Sequence, residues 1–136
     1  MSPRREPIDE VRHRLAESLA IADSAGIPIE VIAVDPGIGF FRQTGRAWHE
    51  WDCSVLAGLG GLCTLGRPIC VGVSRKSFIG ALSGERDPAR RLPGSLAATT
   101  AAVLSGAHVI RAHDVAETLQ AVRVAEALRD CGTRRA

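Results

Sequence analysis

The chain has 136 residues, of which 46% are hydrophobic and 24% are charged, and its net charge is +2. This length suits one compact domain with one hydrophobic core, and the composition is ordinary for a soluble globular protein. The small net charge and the lack of tyrosine argue against a nucleic-acid-binding surface. No run approaches the ~18 apolar residues of a membrane span, and the polar first seven residues do not resemble a signal peptide.

The cysteines show no spacing that is typical of a zinc site or of a CxxC motif; they are Cys53, Cys63, Cys70 and Cys131. In a chain without a secretion signal, such cysteines are expected to be free thiols in a reducing compartment. We therefore expect a cytoplasmic protein with no membrane or nucleic-acid partner.

Helical and strand patterns alternate along the chain. Apolar residues at helical spacing predict helices over residues 8–25 and 115–128. Further helices are predicted over residues 47–59 and over the alanine-rich residues 95–104, which stand between Gly94 and Gly106. Short β-branched runs predict strands over residues 29–34, 68–73 and 108–111. Residues 74–90 are predicted to form a polar loop with a helical turn near 78–82. Short apolar strands between helices indicate an α/β fold with a parallel sheet covered by helices.

Polar residues follow each predicted strand at once. Asp35 ends the first strand, Lys76 and Ser77 follow the second, and Arg111 and His113 follow the third. Because ligands bind at the carboxyl ends of strands in parallel α/β folds, the three clusters are expected to meet at one rim.

Each cluster allows a structural interpretation beside the functional one. Asp35 can accept paired N–H bonds from a flat heterocycle such as a pterin, or it can cap its own turn before Pro36. Lys76 and Ser77, at a predicted helix start, favour a bound carboxylate or phosphate over a solvated loop with an N-capping serine.

The third cluster is equally open. Arg111 and His113 lie on the same side of an ideal strand and can both donate to phosphate oxygens. Alternatively, Arg111 pairs with Asp114 and His113 caps the next helix. Phe40 can line an aromatic pocket or pack within its loop.

Four motifs together resemble dihydropteroate synthases. They are DPGIGF at 35–40, VGVSRKSFIG at 71–80, RLPGSLAA at 91–98 and GAHVIRAHDV at 106–115. They stand in the order and spacing of that family, and the resemblance covers residues 8–128.

The resemblance implies a fold and a reaction. The family fold is a TIM (β/α)₈ barrel, and residues 1–136 would form one partial pterin-binding domain holding about the last three β/α units with one preceding helix. The implied reaction, in folate biosynthesis, is attack by the amine of 4-aminobenzoate on the methylene carbon of 6-hydroxymethyl-7,8-dihydropterin diphosphate. The family works by positioning and by stabilising charge on the leaving diphosphate, so no residue is assigned as a catalytic group.

The resemblance also assigns binding roles to residues of this chain. The pterin-binding residues would be Asp35, Phe40, Gly72, Lys76 and Arg111. The aminobenzoate site, where sulfonamides also bind, would consist of Phe40, Lys76 and Ser77, and the diphosphate anchor of Arg111 and His113. The family's Mg²⁺ is expected to be held by its N-terminal half and not by residues of this chain.

Two departures bear on activity. Phe41 and Arg42 stand where the family has a small residue and a lysine, so Phe41 would either crowd the aminobenzoate side or turn outward. The family's early-strand ligands are not in this sequence, so the chain alone is expected to be inactive. It would act with a complementing N-terminal half or as a homodimer. The alternatives are a non-catalytic remnant or pterin-binding module, and a methyltetrahydrofolate-type methyltransferase, against which the SRKS segment argues.

Overall fold

The computed structural model describes residues 5–40 and 45–133. The helices in these ranges are α1 (Pro7–Ser24), α2 (Trp48–Ala57), α3 (Ser77–Ser83), α4 (Leu92–Leu104) and α5 (Val115–Thr133). The strands are β1 (Cys70–Gly72) and β2 (Val109–Arg111), and short 3₁₀ segments lie at Ile29–Val31, Leu59–Leu65 and Pro88–Arg90. Within the described ranges, no helix combines the length and the apolar character needed to cross a membrane.

The sheet is parallel and centred on β1. In its register Cys70 pairs with Val109, Val71 with Ile110 and Gly72 with Arg111. On the other side of β1, Val34 forms an isolated parallel bridge with Ile69. The three segments that were predicted as strands are therefore neighbours, and their carboxyl ends point the same way.

The prediction of a strand over residues 29–34 is wrong except at Val34. Residues Ile29–Val31 form a 3₁₀ turn in which the Val31 N–H donates to the Pro28 carbonyl at 3.2 Å. The guanidinium of Arg67 donates to the carbonyls of Ile32 and Glu30, at 3.0 and 3.3 Å. These carbonyls are thus satisfied by a side chain, and the segment does not need a sheet ladder before Val34.

The core lies on one face of this sheet. Ile69, Val71 and Val73 point into it and are each 0% exposed. Helices α1 to α4 contribute further core residues, and so does the 3₁₀ segment Leu59–Leu65; they include Val11, Val55, Leu56, Leu59, Leu62, Phe78, Ile79, Ala98 and Ala102. The alternating residues Cys70 and Gly72 point to the opposite face, which carries the polar strand ends. The fold thus separates a buried helix-covered face from a face that is available to ligands.

The predicted helices are confirmed, with small differences in their bounds. The start of α1 has Pro7 in its first turn with Asp9 and Glu10 beside it, as the helix dipole favours. The predicted turn near 78–82 is the seven-residue helix α3. Helix α4 begins at Leu92, three residues earlier than predicted, because Pro93 is accommodated in its first turn.

Candidate functional site

Asp35 stands at the carboxyl end of the segment that bridges to β1. Its Oδ1 accepts a hydrogen bond from the backbone N–H of Gly37 at 2.8 Å, which is an Asx turn. Its Oδ2 forms an ion pair with Nη2 of Arg111, 76 positions further along the chain. One carboxylate oxygen therefore shapes the local turn, and the other faces the end of β2.

Arg111 lies across β1 beside Gly72. A Cβ atom on Gly72 would come within 3.0 Å of Arg111 Nη2, so the glycine allows the guanidinium to lie against the strand. Hydrogen bonds to the side chains of Cys70 and Asp35, in that order of importance, raise the pKa of Arg111. The Arg111 side chain is 60% exposed, so it has room to leave Asp35 when a ligand arrives.

Lys76 crosses from β1 to the DPGIGF loop. Its Nζ donates a hydrogen bond to the carbonyl of Ile38 and lies 5.3 Å from the centroid of the Phe40 ring. Both contacts stabilise a cation. The Phe40 ring is otherwise 79% exposed, which leaves it accessible to a planar ligand.

Partial burial of its ammonium is the main cause that lowers the pKa of Lys76; Arg111 lowers it further, whereas Asp35 and Asp52 raise it. The folded chain therefore binds this proton more weakly than the unfolded chain does. Consequently, we expect the free energy of unfolding to increase as the pH rises through the folded pKa toward the ordinary lysine value.

Because Lys76 is the single lysine of the chain, one ¹³Cε signal reports its titration directly. The midpoint is expected at a lower pH in the folded chain than in the chain unfolded by urea. Equal midpoints would show that the ammonium is as well solvated as in the unfolded chain.

A second pair of contacts joins the ends of β1 and β2. Ser74 Oγ lies 2.9 Å from Nδ1 of His113. Arg75 pairs with Asp114 at 3.1 Å. The structure thus shows Asp114 bound to Arg75, and Arg111 bound to Asp35, where the sequence had left an Arg111–Asp114 pair open.

Two cavities adjoin at this rim. One of about 200 Å³ is lined by Gly72, Ser74, Lys76, Arg111, Ala112 and His113. The other, of about 300 Å³, is lined by Ile38, Gly39, Phe40, Arg75, Lys76, Ser77 and Arg91. Lys76 lines both cavities. Cationic side chains line each of them, and the larger cavity also has the aromatic ring of Phe40 and the hydroxyl of Ser77.

The predicted site residues are therefore close together, with one qualification. Phe40, Lys76 and Ser77 share one cavity, and Arg111 and His113 share the other. Asp35 lines neither and reaches the site through its ion pair with Arg111. Phe41 and Arg42 lie outside the described residues.

Asp52 in α2 contributes to the site although sequence reasoning did not single it out. It is 1% exposed, and its Oδ1 accepts a hydrogen bond from the backbone N–H of Gly39 at 2.9 Å. It thereby fixes the loop that presents Ile38 and Phe40. The available signal was helical spacing, because Asp52 falls on the same face as the buried Val55 and Leu56.

The described residues offer no metal site of their own. In residues 5–40 and 45–133, no three His, Cys, Asp or Glu side chains are gathered as a metal ion would require. Of the carboxylates at the rim, Asp35 is held by Arg111 and Asp114 by Arg75.

Comparisons with known proteins show which family the chain resembles. A family model described as "Pterin binding enzyme" matches residues 2–113. The chain is 43% identical, over 118 residues, to a dihydropteroate synthase of Escherichia coli K12, and the match covers 87% of this chain and 40% of that protein. The chain thus spans about two fifths of the length of this relative.

Solved structures give the same result at the level of the fold. The dihydropteroate synthase of Xanthomonas albilineans in complex with 7,8-dihydropteroate matches with a TM-score of 0.82 at 37% identity, over 94% of this chain and 47% of that one. The Thermus thermophilus enzyme in complex with 4-aminobenzoate matches with a TM-score of 0.78 at 40% identity, over 93% and 46%. The observed α/β fold is therefore that of these enzymes over the matched part, and the chain belongs to the family of pterin binding enzymes.

Proposed function

We propose that this chain forms the later part of a dihydropteroate synthase site and takes part in joining 4-aminobenzoate to a pterin. The observation that carries the proposal is the position of Lys76 between two cavities, one with Arg111 and His113 and the other with Phe40 and Ser77. A diphosphate suits the first cavity and a benzoate suits the second.

In the proposed reaction the aminobenzoate nitrogen attacks the methylene carbon of the pterin substrate. The new C–N bond forms as the C–O bond to diphosphate breaks; diphosphate leaves with the electron pair, and the amine proton passes to solvent. Arg111 and His113 stabilise the developing negative charge. Phe40 and Ser77 hold the ring and carboxylate of the aminobenzoate, so that the amine points toward the other cavity.

The pterin ring would take the place that the Arg111 guanidinium occupies on Asp35. Asp35 Oδ2 would accept N–H bonds from the ring, with Gly72 beneath it, and Arg111 would move to cover the ring face. The 60% exposure of Arg111 supports such a movement.

Binding of diphosphate tests this assignment. Arg111→Ala should weaken diphosphate binding by roughly ten- to a hundredfold, because a charge-assisted hydrogen bond is lost. The measurement is a calorimetric titration of diphosphate into both forms. Arg123→Ala is the matched control, since Arg123 is an exposed arginine of α5. Equal affinities of the Arg111→Ala variant and the control would remove Arg111 from the site.

The resemblance to dihydropteroate synthases puts the ligands of the family's Mg²⁺ in the N-terminal half, so no residue of this chain is assigned to the metal. We place the metal ligands in the remaining part of a barrel, of which this chain would supply the last three β/α units.

The surfaces left open on this chain support a partner that completes the barrel. Val109 of the strand β2 is 46% exposed, and Val31 of the 3₁₀ segment Ile29–Val31 is 73% exposed. A groove of about 480 Å³ between β2 and α5 has an apolar lining that includes Val103, Ile110, Val115, Leu119 and Val122. Exposed strand edges and apolar grooves favour association with another chain.

Sedimentation measurements should therefore show that the chain alone associates as its concentration rises. Adding the N-terminal portion of a dihydropteroate synthase should replace this self-association by a one-to-one complex. A chain that stays monomeric, unfolds cooperatively and does not bind the N-terminal portion would contradict the proposal.

A further inference from the structure

The RLPGSLAA segment, residues 91–98, reaches the site at two points: Arg91 lines the cavity of Phe40 and Ser77, and Ser95 contacts the backbone of Arg75. We infer that Ser95 and Arg91 are positioning residues that hold Arg75 in a left-handed backbone conformation and thereby place Lys76. The geometry stands on its own, and only the consequence for ligand binding rests on the proposed function.

Arg75 has an unusual backbone. Its φ is +59°, and among residues 5–40 and 45–133 no other non-glycine residue has a positive φ. An L-residue is disfavoured there because its Cβ approaches the following carbonyl oxygen. Such a conformation persists only where neighbouring groups hold it, and it often marks a functional site.

Both backbone polar groups of Arg75 are held by residues at the start of α4. Its N–H donates to Ser95 Oγ at 2.9 Å, and the Ser95 side chain is buried, with 4% exposure. Its carbonyl accepts from Arg91 Nη1 at 2.9 Å. The two bonds fix the peptide groups on either side of the Arg75 Cα.

Arg91 serves a wider purpose than this one bond. Its Nε donates to the Glu85 carbonyl at 2.9 Å and its Nη2 to the Arg86 carbonyl at 2.8 Å. The guanidinium also lies against Gly80, where a Cβ would come within 2.6 Å of Nη2. The planar guanidinium of Arg91 therefore connects the SRKS turn, residues 74–77, to the loop after α3. A lysine could not make these bonds together with its single ammonium.

The consequence for the site follows from the chain direction. Lys76 is the next residue after Arg75, so the backbone at Arg75 sets where the Lys76 side chain starts. From there Lys76 reaches the Ile38 carbonyl and lies over Phe40. If Arg75 relaxed to an ordinary negative φ, the Lys76 side chain would start in another direction and lose both contacts.

The test uses the single lysine as its own probe. The Nζ of Lys76 lies over the Phe40 ring, 5.3 Å from its centroid. Cε is one bond from Nζ, so we expect the ring to move the NMR signals of the Cε protons upfield. Phe40→Leu calibrates this displacement. Ser95→Ala and Arg91→Lys are each expected to lose most of it, whereas Ser95→Thr should keep it because the hydroxyl is retained. The control is Thr100→Ala, which removes a hydroxyl that bonds within α4 to Leu96 at 2.9 Å.

A rescue experiment separates positioning from general loss of structure. In the Ser95→Ala background, Arg75→Gly and Arg75→Ala both remove the guanidinium, but only glycine accepts a positive φ freely. The glycine variant should recover the upfield displacement and the alanine variant should not. A wild-type lysine signal in Ser95→Ala and in Arg91→Lys, or equal signals in the two Arg75 variants, would overturn the inference.

A parallel titration with 4-aminobenzoate distinguishes the two proposals. If the proposed function holds, Ser95→Ala should also bind 4-aminobenzoate about tenfold more weakly. The variants could show the expected NMR displacements of Lys76 while the unmodified chain binds no 4-aminobenzoate. That result would contradict the proposed function and leave the inference about Ser95 and Arg91 intact.

Discussion

Adding the N-terminal portion of a dihydropteroate synthase to the 136-residue chain is expected to raise the rate of dihydropteroate formation by a factor of at least ~10². Barrel enzymes collect their active-site residues from the ends of many strands, and this chain spans 40% of the Escherichia coli relative. If the remaining strands of the proposed barrel supply further contacts to the diphosphate, we expect the leaving group to be only partly neutralised when the chain is alone.

Diphosphate release in the presence of both substrates measures this effect. The chain should be assayed alone, with the N-terminal portion, and with that portion after Lys76→Ala, which should abolish most of the gain. Robust turnover by the pure chain would contradict the prediction and would mean that copies of the chain complete the rim for one another.

Replacing Asp52 by alanine should destabilise the chain by about 1–3 kcal/mol, because the partly buried N–H of Gly39 would lose its acceptor. Asp52 is 1% exposed, and it holds the Gly39 N–H at 2.9 Å. The loss is large for a small domain, whose total stability is only ~5–15 kcal/mol. Asp52→Asn keeps an oxygen acceptor and should lose much less.

Urea unfolding gives the comparison. Glu50→Ala is the matched control, because Glu50 is an exposed acidic residue on the same helix. The midpoint for Asp52→Ala should lie clearly below that of Glu50→Ala. Coincident midpoints would show that the Gly39 loop does not depend on this carboxylate.

Helices α1 and α5 were predictable because each repeats apolar residues at a period near 3.6, and α4 because it is rich in alanine. The structure of residues 29–34 could not be predicted, because their β-branched composition suits a strand as well as the observed turn. In the structure their carbonyls at Glu30 and Ile32 accept from Arg67, more than thirty residues away, and not from a neighbouring strand. No local pattern contains that information.

The site divides in the same way. The convergence of Asp35, Lys76 and Arg111 follows from parallel strands whose carboxyl ends share one edge, so it could be predicted. The ion-pair partners of these residues could not be predicted, because whether Arg111 pairs with Asp35 or with Asp114 depends on the side-chain directions across β1. Likewise, the sequence shows a serine in RLPGSLAA but not that its hydroxyl holds the backbone of Arg75, twenty residues earlier.

Recognition of a pterin by this rim can be tested directly with two variants, Asp35→Asn and Asp87→Asn. The quantity to measure is the affinity of each variant for 6-hydroxymethyl-7,8-dihydropterin diphosphate. Both aspartates form the same local turn, since Asp35 accepts from Gly37 at 2.8 Å and Asp87 from Ala89 at 2.9 Å, and asparagine preserves it in each. Of the two, Asp35 is the one that faces the rim. A loss of roughly tenfold or more in Asp35→Asn, with Asp87→Asn unchanged, is the predicted result. Equal affinities for the two variants would contradict the account.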